Sequence, residues 1–155
     1  DIARFLVGEV AEVSVWGASR VDPRIGEMGD ADTVTSLLRF ENGALGVIEN
    51  SRRAVYGYDV RSEVFGSGGK LVIDATPKTP LWQFGEGGVS SDHYYFFIDR
   101  FIDAYRLELQ AFFAALEAGT KPTPGTKDAV ESLRIALAMT RSLIEKRPVL
   151  LEELR

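Results

Sequence analysis

The chain has 155 residues, of which 45% are hydrophobic and 26% charged, and its net charge is −5. This composition is typical of a folded globular protein, with enough chain for one domain and its core but not comfortably for two. The negative charge disfavours a nucleic-acid surface, which needs a basic stripe. With no cysteine and a single histidine, disulfides, thiolate metal sites and clusters of imidazole ligands are excluded.

The N-terminus and the apolar runs of the sequence indicate whether the protein is exported or inserted into a membrane. No apolar run approaches the roughly 20 residues of a membrane span, and the N-terminus does not resemble a signal peptide. We therefore expect a cytoplasmic protein with no membrane partner. The chain starts at Asp1 without a methionine, and Ile2, Phe5 and Leu6 have helical spacing up to Gly8. This pattern is typical of a helix cut at its start, so we expect a fragment of a longer protein.

Two strands are predicted in the first quarter of the chain. Val10–Trp16 alternates valines with polar residues, and Thr33–Phe40 forms the second strand. Between them, Ser19–Ala31 has turn residues and no periodicity, which predicts a long connection. Asn42-Gly43 then indicates a two-residue type I′ hairpin, which needs positive φ at both positions. Its register pairs Phe40 with Leu45 and Leu38 with Val47 on one face, and Leu37 with Ile48 on the other.

The segment Asn50–Gly66 holds most of the candidate binding residues. A strand is predicted from Gly57 or Tyr58 to Phe65, because the side chains alternate with a period of two. A phenol both donates and accepts hydrogen bonds, and charged side chains form strong ones. The same charges can equally pair across a wet sheet face. The candidates for binding a polar small molecule are Tyr58, Tyr56, Arg52, Arg53 and Asp59.

The glycines of Gly66–Gly69 do not predict a dinucleotide site. A third fingerprint glycine would fall on Leu71, and a strand, Lys70–Asp74, follows instead of a helix. A short sixth strand is predicted at Leu81–Phe84. The single imidazole, His93, lies in a polar loop, and we do not expect it to act as a base, because geometry decides that role.

Two helices complete the predicted fold. An apolar stripe from Ile98 to Leu116 predicts a helix with a buried face, closed by Gly119. Thr126 is the predicted N-cap of a second helix, and Val149–Leu151 a short edge strand. The fold class is α+β, with a largely antiparallel open sheet of about six strands and two helices on one face. The apolar stripe assigned to the second helix consists of Val130, Leu133, Leu137, Thr140 and Ile144.

Seven stretches together resemble the Gfo/Idh/MocA oxidoreductases, and within them the bacterial inositol 2-dehydrogenases. The match in Asn50–Gly66 is the specific one, and the others indicate only this family's C-terminal domain. They are Asp1–Leu6, Asp22–Glu27, Gly29-Asp30 with Asp32-Thr33, Arg39–Gly46, Asn50–Gly66, Phe101–Tyr105 with Glu108, and Arg147–Val149.

The resemblance implies a domain organisation for residues 1–155. They would form the substrate-binding and oligomerisation C-terminal domain, with a fold like that of dihydrodipicolinate reductase. The family's Rossmann domain, which binds NAD(P) and carries a Glu-Lys-Pro lysine, would be missing, as would the catalytic Asp and His that precede the stretch matching Asp1. We expect no catalytic residue, metal ligand or cofactor in this chain, and no nucleic-acid partner.

The resemblance also implies a function. Tyr58 lies where inositol dehydrogenases place a substrate-contacting tyrosine, so the intact protein would oxidise a myo-inositol-type polyol with NAD. The open sheet face would join copies into a homo-oligomer. The alternative is a non-enzymatic α+β module that assembles chains or binds sugars.

Overall fold

The computed structural model describes residues 1–154, which pack as two compact units. Within the described residues, the first unit contains residues 1–53 and 123–154, and the second contains Ala54–Pro122. None of the helices in the described part of the chain is both long and apolar enough to cross a bilayer.

The first unit is built on one antiparallel sheet. Its elements, numbered in chain order, are α1 Ile2–Val7, β1 Val10–Ala18, α2 Pro23–Glu27, β2 Thr33–Phe40, β3 Leu45–Ser51, α5 Thr126–Glu145 and β8 Val149–Leu150. A 3₁₀ turn, Leu151–Leu154, follows β8. The strand order is β3-β2-β1-β8, so β1 lies inside the sheet and β8 at its edge, as predicted for Val149–Leu151.

The second unit contains two hairpins and a helical segment. Its elements are β4 Ser62–Gly66, β5 Gly69–Ile73, β6 Pro77–Gly85, β7 Gly88–His93, α3 Phe97–Arg100 and α4 Ile102–Glu117. The antiparallel α+β class is confirmed, but the strands form one four-stranded sheet and two separate hairpins. The strand expected from Gly57 or Tyr58 begins only at Ser62. The strand expected at Leu81–Phe84 is longer, and β7, its partner, was not predicted.

The core of the first unit lies between β1 and α5. Alternation along β1 buries Val13 and Val15, as predicted, and Leu38 and Phe40 of β2 join them. α5 contributes Ala138, which is fully buried, and α1 packs Ala3 and Val7 against the same cluster. Two helices were predicted to cover one face of the sheet. This is confirmed for α5, whereas α4, which corresponds to the other predicted helix, belongs to the second unit.

α5 buries a different face from the one its bulky stripe predicts. Small residues, Ala138 and Ser142, face the sheet and allow close approach. The Ser142 hydroxyl accepts a hydrogen bond from the Val15 backbone N–H at 3.1 Å and donates to the Arg147 carbonyl at 2.6 Å. It thus satisfies strand groups that the two-residue β8 cannot reach. The apolar members of the predicted stripe are exposed: Val130, Leu133, Leu137 and Ile144.

The helix start also differs from prediction. Gly125, not Thr126, is the N-cap, and its backbone N–H donates to the Asp128 carboxylate at 2.8 Å. In the second unit, the stripe predicted as core lies on α3, α4 and Phe101 between them, and it is largely exposed. No described residue of Ala54–Pro122 is fully buried, because two isolated hairpins offer little surface to cover a helix.

The hairpin between β2 and β3 has a longer turn than Asn42-Gly43 predicts. Gly43 alone among these turn residues has positive φ, +87°, so the turn cannot be type I′. The Gly43 N–H donates to the Phe40 carbonyl at 3.0 Å, and the Phe40 N–H to the Ala44 carbonyl at 2.9 Å. These bonds describe a type I turn followed by a glycine bulge.

The longer turn shifts the register by one residue and corrects every predicted pair. Because one step exchanges the two faces of a strand, Ile48 moves to the core side, opposite buried Ser36. The outer face instead carries Leu37 opposite Val47, both exposed. The observed pairs are Arg39 with Leu45, Leu38 with Gly46, Leu37 with Val47 and Ser36 with Ile48.

Buried Asp32 anchors the connection between β1 and β2. Its carboxylate accepts backbone N–H groups of Arg20, Val21 and Asp22 at 2.7, 2.9 and 2.8 Å, and the Thr33 hydroxyl at 2.9 Å. Burial opposes ionisation, but the hydrogen bonds outweigh it and lower the pKa of Asp32 to about 2. The connection also contains α2, capped by Asp22, where no helix was predicted.

We expect Asp32→Asn to weaken the dependence of stability on acid pH. Because its folded pKa lies below the ordinary value of about 4, Asp32 stabilises the fold above that pH and loses this effect as pH falls from about 5 towards 2. The variant should be less stable at pH 7, and its unfolding free energy should change less over that window. Urea unfolding at several pH values, followed by circular dichroism, measures both effects.

The matched control is Asp30→Asn, because the exposed Asp30 carboxylate contacts only the N–H of the next residue. It should retain the wild-type pH dependence. Equal slopes for wild type and Asp32→Asn would contradict the anchoring role.

Candidate functional site

The two candidate arginines, Arg52 and Arg53, end the first of the two chain segments that form the first unit. The Arg52 backbone N–H donates to the Asp32 carbonyl at 2.8 Å, which extends the β2–β3 ladder by one bond. The Ser51 hydroxyl bridges to Arg53, donating to its carbonyl at 3.2 Å. Both arginines are exposed, and neither guanidinium forms an ion pair within residues 1–154. Their charges are therefore available to a ligand or to a protein surface.

Asp59 is committed to its neighbours in the second unit. Its Oδ2 accepts the Tyr56 hydroxyl at 2.6 Å and pairs with Arg61 at 2.9 Å. The hydrogen bond to this carboxylate raises the pKa of Tyr56. Asp59 Oδ1 is buried and has no hydrogen-bond partner among the described residues. Asp59 thus pairs with other residues of the chain, an alternative that the sequence left open. These partners are close to Asp59 in sequence and do not lie opposite it on a neighbouring strand.

The backbone of Tyr58 is held by one short hydrogen bond. Its N–H donates to the Tyr94 carbonyl at 2.6 Å. The preceding Gly57 has φ +131°, and a Cβ there would lie 2.6 Å from His93 Cβ and 2.9 Å from the Tyr94 carbonyl oxygen. Only glycine fits this conformation and this approach. Gly57 therefore allows the segment containing Tyr58 to dock on the end of β7.

The Tyr58 ring packs between two phenylalanines. Phe101 meets it edge-on, with ring centroids 5.9 Å apart and an angle of 88°, and Phe97 lies 6.5 Å away at 48°. Edge-to-face packing is the geometry that aromatic pairs favour. The half-buried Tyr58 keeps its hydroxyl free of hydrogen bonds within residues 1–154, whereas the Tyr56 hydroxyl is occupied. Tyr58 thus combines a fixed ring with a hydroxyl that can donate and accept.

Several residues around Tyr58 were not predicted. Phe97 and Phe101 are four residues apart, and a break in the helix at Phe101 separates α3 from α4. The guanidinium carbon of Arg100 lies 5.1 Å from the Phe101 ring centroid and 5.7 Å from that of Tyr94. The aromatic run Tyr94–Phe97 signals this cluster in the sequence, whereas the stripe from Ile98 to Leu116, which includes Phe101, suggested ordinary core packing.

The single imidazole of the chain lies close to the Tyr58 segment. His93 Nε2 lies 3.3 Å from the Ser91 hydroxyl, and the His93 side chain packs beside Gly57. Among residues 1–154, no three His, Cys, Asp or Glu side chains are grouped to hold a metal ion. The arrangement around Tyr58 is suited to hydrogen-bonding a neutral polar molecule.

Comparisons of this sequence with a family model and with known proteins point to the same family. Residues 1–151 match a family model described as an oxidoreductase family, C-terminal alpha/beta domain. The chain is 46% identical over 155 residues to a myo-inositol 2-dehydrogenase from Thermotoga maritima, covering 99% of the chain and 46% of that protein. An inositol 2-dehydrogenase from Rhizobium meliloti is 38% identical over 151 residues, covering 96% and 46%. The chain thus spans about half the length of these relatives.

Solved structures share the fold. A probable dehydrogenase from Thermotoga maritima superposes with a TM-score of 0.94 at 44% identity, covering 99% of this chain and 47% of that one. A scyllo-inositol dehydrogenase from Lactobacillus casei, with bound NAD(H) and scyllo-inositol, gives 0.91 at 25% identity, covering 97% and 45%. The chain belongs to the Gfo/Idh/MocA oxidoreductase family, of which it is the C-terminal alpha/beta domain.

Proposed function

We propose that this chain is the substrate-binding and assembly half of an NAD-dependent dehydrogenase acting on a myo-inositol-type cyclic polyol. In the intact protein, a ring CH–OH carbon would give hydride to nicotinamide, and the hydroxyl proton would go to a base outside this chain. The proposal is supported by relatives whose names specify inositol oxidation. The observation that carries it is the fixed Tyr58 ring with its unpaired hydroxyl.

The binding chemistry suits a polyol. Each substrate hydroxyl both donates and accepts, as the Tyr58 phenol does, so the two can pair in either direction. A site that hydrogen-bonds individual hydroxyls discriminates against analogues that lack one. Arg52 and Arg53 are proposed as further contacts, since their guanidinium groups are exposed and unpaired. Tyr56 and Asp59 would fix the conformation of the segment through the hydrogen bond between them. They would offer the substrate only the acceptor sites that this hydrogen bond leaves unused.

The glycine-rich turn Gly66–Gly69 does not provide a dinucleotide site. The turn after β4 leads into β5, so no helix N-terminus is available there to bind a dinucleotide phosphate. We therefore assign NAD(P) to an upstream Rossmann domain of the intact protein. A cytoplasmic location is proposed with it, because nicotinamide dinucleotides are intracellular cofactors.

Homo-oligomer formation through the outer face of the sheet is part of the proposal. α5 packs against β1 on one side of the sheet, while Trp16, Leu37, Leu45 and Val47 are exposed on the other. Contiguous exposed apolar patches usually mark interaction surfaces. A two-fold contact between two such faces would place each copy's Leu37–Val47 pair near that of its partner.

The 155-residue chain alone should be inactive, because we assign both the dinucleotide site and the catalytic base to the part of the intact protein outside it. The test is incubation with NAD and myo-inositol while absorbance of the reduced cofactor is followed. Turnover above a buffer blank would contradict this assignment.

In the intact enzyme, Tyr58→Phe should lower kcat/KM for the polyol about fivefold, since one hydrogen bond contributes on the order of 1 kcal/mol. Folding stability and NAD affinity should not change, because the ring is retained. Steady-state kinetics, calorimetric NAD binding and thermal unfolding measure these quantities. Tyr95→Phe removes a hydroxyl from an exposed tyrosine of the same unit and should leave kcat/KM unchanged. An unchanged kcat/KM in folded Tyr58→Phe would assign Tyr58 a structural role.

Val47→Lys should shift the chain towards monomer, because two-fold pairing would bring like charges together in an apolar contact. The readout is light scattering behind a sizing column at micromolar concentration. Met28→Lys, which places the same charge on another exposed apolar position, is the control and should keep the wild-type assembly. A wild-type chain that elutes as a clean monomer would refute the proposed interface.

A further inference from the structure

We propose that Arg100 is the positioning residue for the Tyr58 hydroxyl. This inference rests on the proposed function, since it concerns the residue assigned there to the substrate. Arg100 is the last residue of α3, and it is half-buried beside the aromatic residues that hold Tyr58.

Arg100 contacts both groups that fix Tyr58. Tyr94 provides the carbonyl that accepts the Tyr58 N–H at 2.6 Å, and its ring lies 5.7 Å from the guanidinium carbon. Phe101 packs edge-on against the Tyr58 ring, and its own ring lies 5.1 Å from the same carbon. A guanidinium within about 6 Å of a ring centroid is attracted by the electrons of the ring face. One cation therefore connects the backbone support of Tyr58 to its ring support.

The surroundings of Arg100 favour this role over an ion-pair role. The described residues provide it with no carboxylate partner, and its one side-chain hydrogen bond goes to the Thr76 hydroxyl at 3.3 Å. The two rings are thus its main partners. An uncharged side chain of similar length would fill the space but would not attract both rings, so Tyr94 and Phe101 would be free to separate.

The break in the helix makes this geometry possible. Phe101 has φ −113° and ψ 19°, outside the range of regular helix, so α4 starts in a new direction. Arg100 and Phe101 both lie at this junction. The Arg100 guanidinium lies over the Tyr94 and Phe101 rings, and the Phe101 ring packs against Tyr58. Because no residue of the unit is fully buried, these specific contacts, and not core packing, determine where the hydroxyl points.

The consequence for the enzyme is a defined loss of substrate recognition. Without the charge of Arg100, the Tyr58 ring is held less firmly, so the ring and the hydroxyl oxygen bonded to it sample a wider range of positions. KM for the polyol should rise more than kcat falls. The drop in kcat/KM should be roughly three- to fivefold, near the upper end of one exposed cation–π contact and no larger than the loss expected for Tyr58→Phe, because Arg100 acts through that hydroxyl. The dissociation constant of the polyol, measured by calorimetry, should rise by a similar factor.

The test is a double-mutant cycle in the intact enzyme with Arg100→Met, Tyr58→Phe and the combined variant. If Arg100 acts through the Tyr58 hydroxyl, Arg100→Met should change kcat/KM less than about twofold once that hydroxyl is absent, because the two changes share one interaction. Arg100→Lys keeps a cation near the rings and should recover most of the lost activity. Arg106→Met is the control, since Arg106 pairs with Asp103 instead, and it should leave kcat/KM unchanged.

Two results would overturn the inference while leaving the proposed function intact. One is an additive cycle, in which Arg100→Met costs the same factor with and without the Tyr58 hydroxyl. The other is Arg100→Lys as defective as Arg100→Met. If Tyr58→Phe by itself has no effect, the proposed substrate contact fails and the positioning role fails with it. Should Arg100→Met not fold, Arg100→Gln gives the same comparison, because it removes the charge but keeps a polar group near Thr76.

Discussion

The site depends on one close approach, between Gly57 and the end of β7. The absence of a side chain at Gly57 lets the Tyr58 N–H reach the Tyr94 carbonyl at 2.6 Å, and φ +131° turns the chain so that it can. Without this contact, the segment before β4 would have no backbone connection to the aromatic cluster. Each further feature of the site, from the packing of the Tyr58 ring to the position of its hydroxyl, follows from it.

The two units are stabilised by different means. The first has a buried core between β1 and α5, so its geometry follows from packing. The second has no fully buried residue, and Tyr58 is placed by a short hydrogen bond and by contacts between rings. Such contacts are directional, which suits a group that must present one hydroxyl to a ligand. The second unit is therefore where single substitutions should alter recognition with little change in the core.

Sequence patterns correctly predicted the strands in which the local order of apolar and polar residues matches the side that is buried in the fold. Alternating valines located β1 and its buried face, and the apolar run after Pro148 located β8 as an edge strand. The same approach failed where a local signal had two structural solutions. Asn42-Gly43 suits a type I′ turn, but a type I turn with a glycine bulge also suits it, and the difference shifted the register. Likewise α5 has two apolar faces, and the one with small residues packs on the sheet.

The candidate site was predictable in part. The polar, aromatic composition of Asn50–Gly66 and its family resemblance indicated Tyr58, but the bond to Tyr94 connects residues thirty-six positions apart. No local pattern predicts such a contact. The role of Arg100 was hidden for a similar reason, because spacing along a helix does not show which rings a cation will meet. The sequence left open whether Asp59 contacts a ligand or pairs with other charges, and it did not indicate the hydrogen bond from Tyr56.

The central claim is that the Tyr58 hydroxyl binds a hydroxyl of a cyclic polyol. The most direct measurement is kcat/KM of the intact wild-type enzyme and of Tyr58→Phe for myo-inositol and for each monodeoxy analogue that keeps the hydroxyl to be oxidised. We predict that one analogue is a poorer substrate than myo-inositol for the wild type but nearly equal to it for the variant, since both changes remove the same hydrogen bond. If every analogue loses the same factor with both enzymes, Tyr58 does not contact the substrate through its hydroxyl.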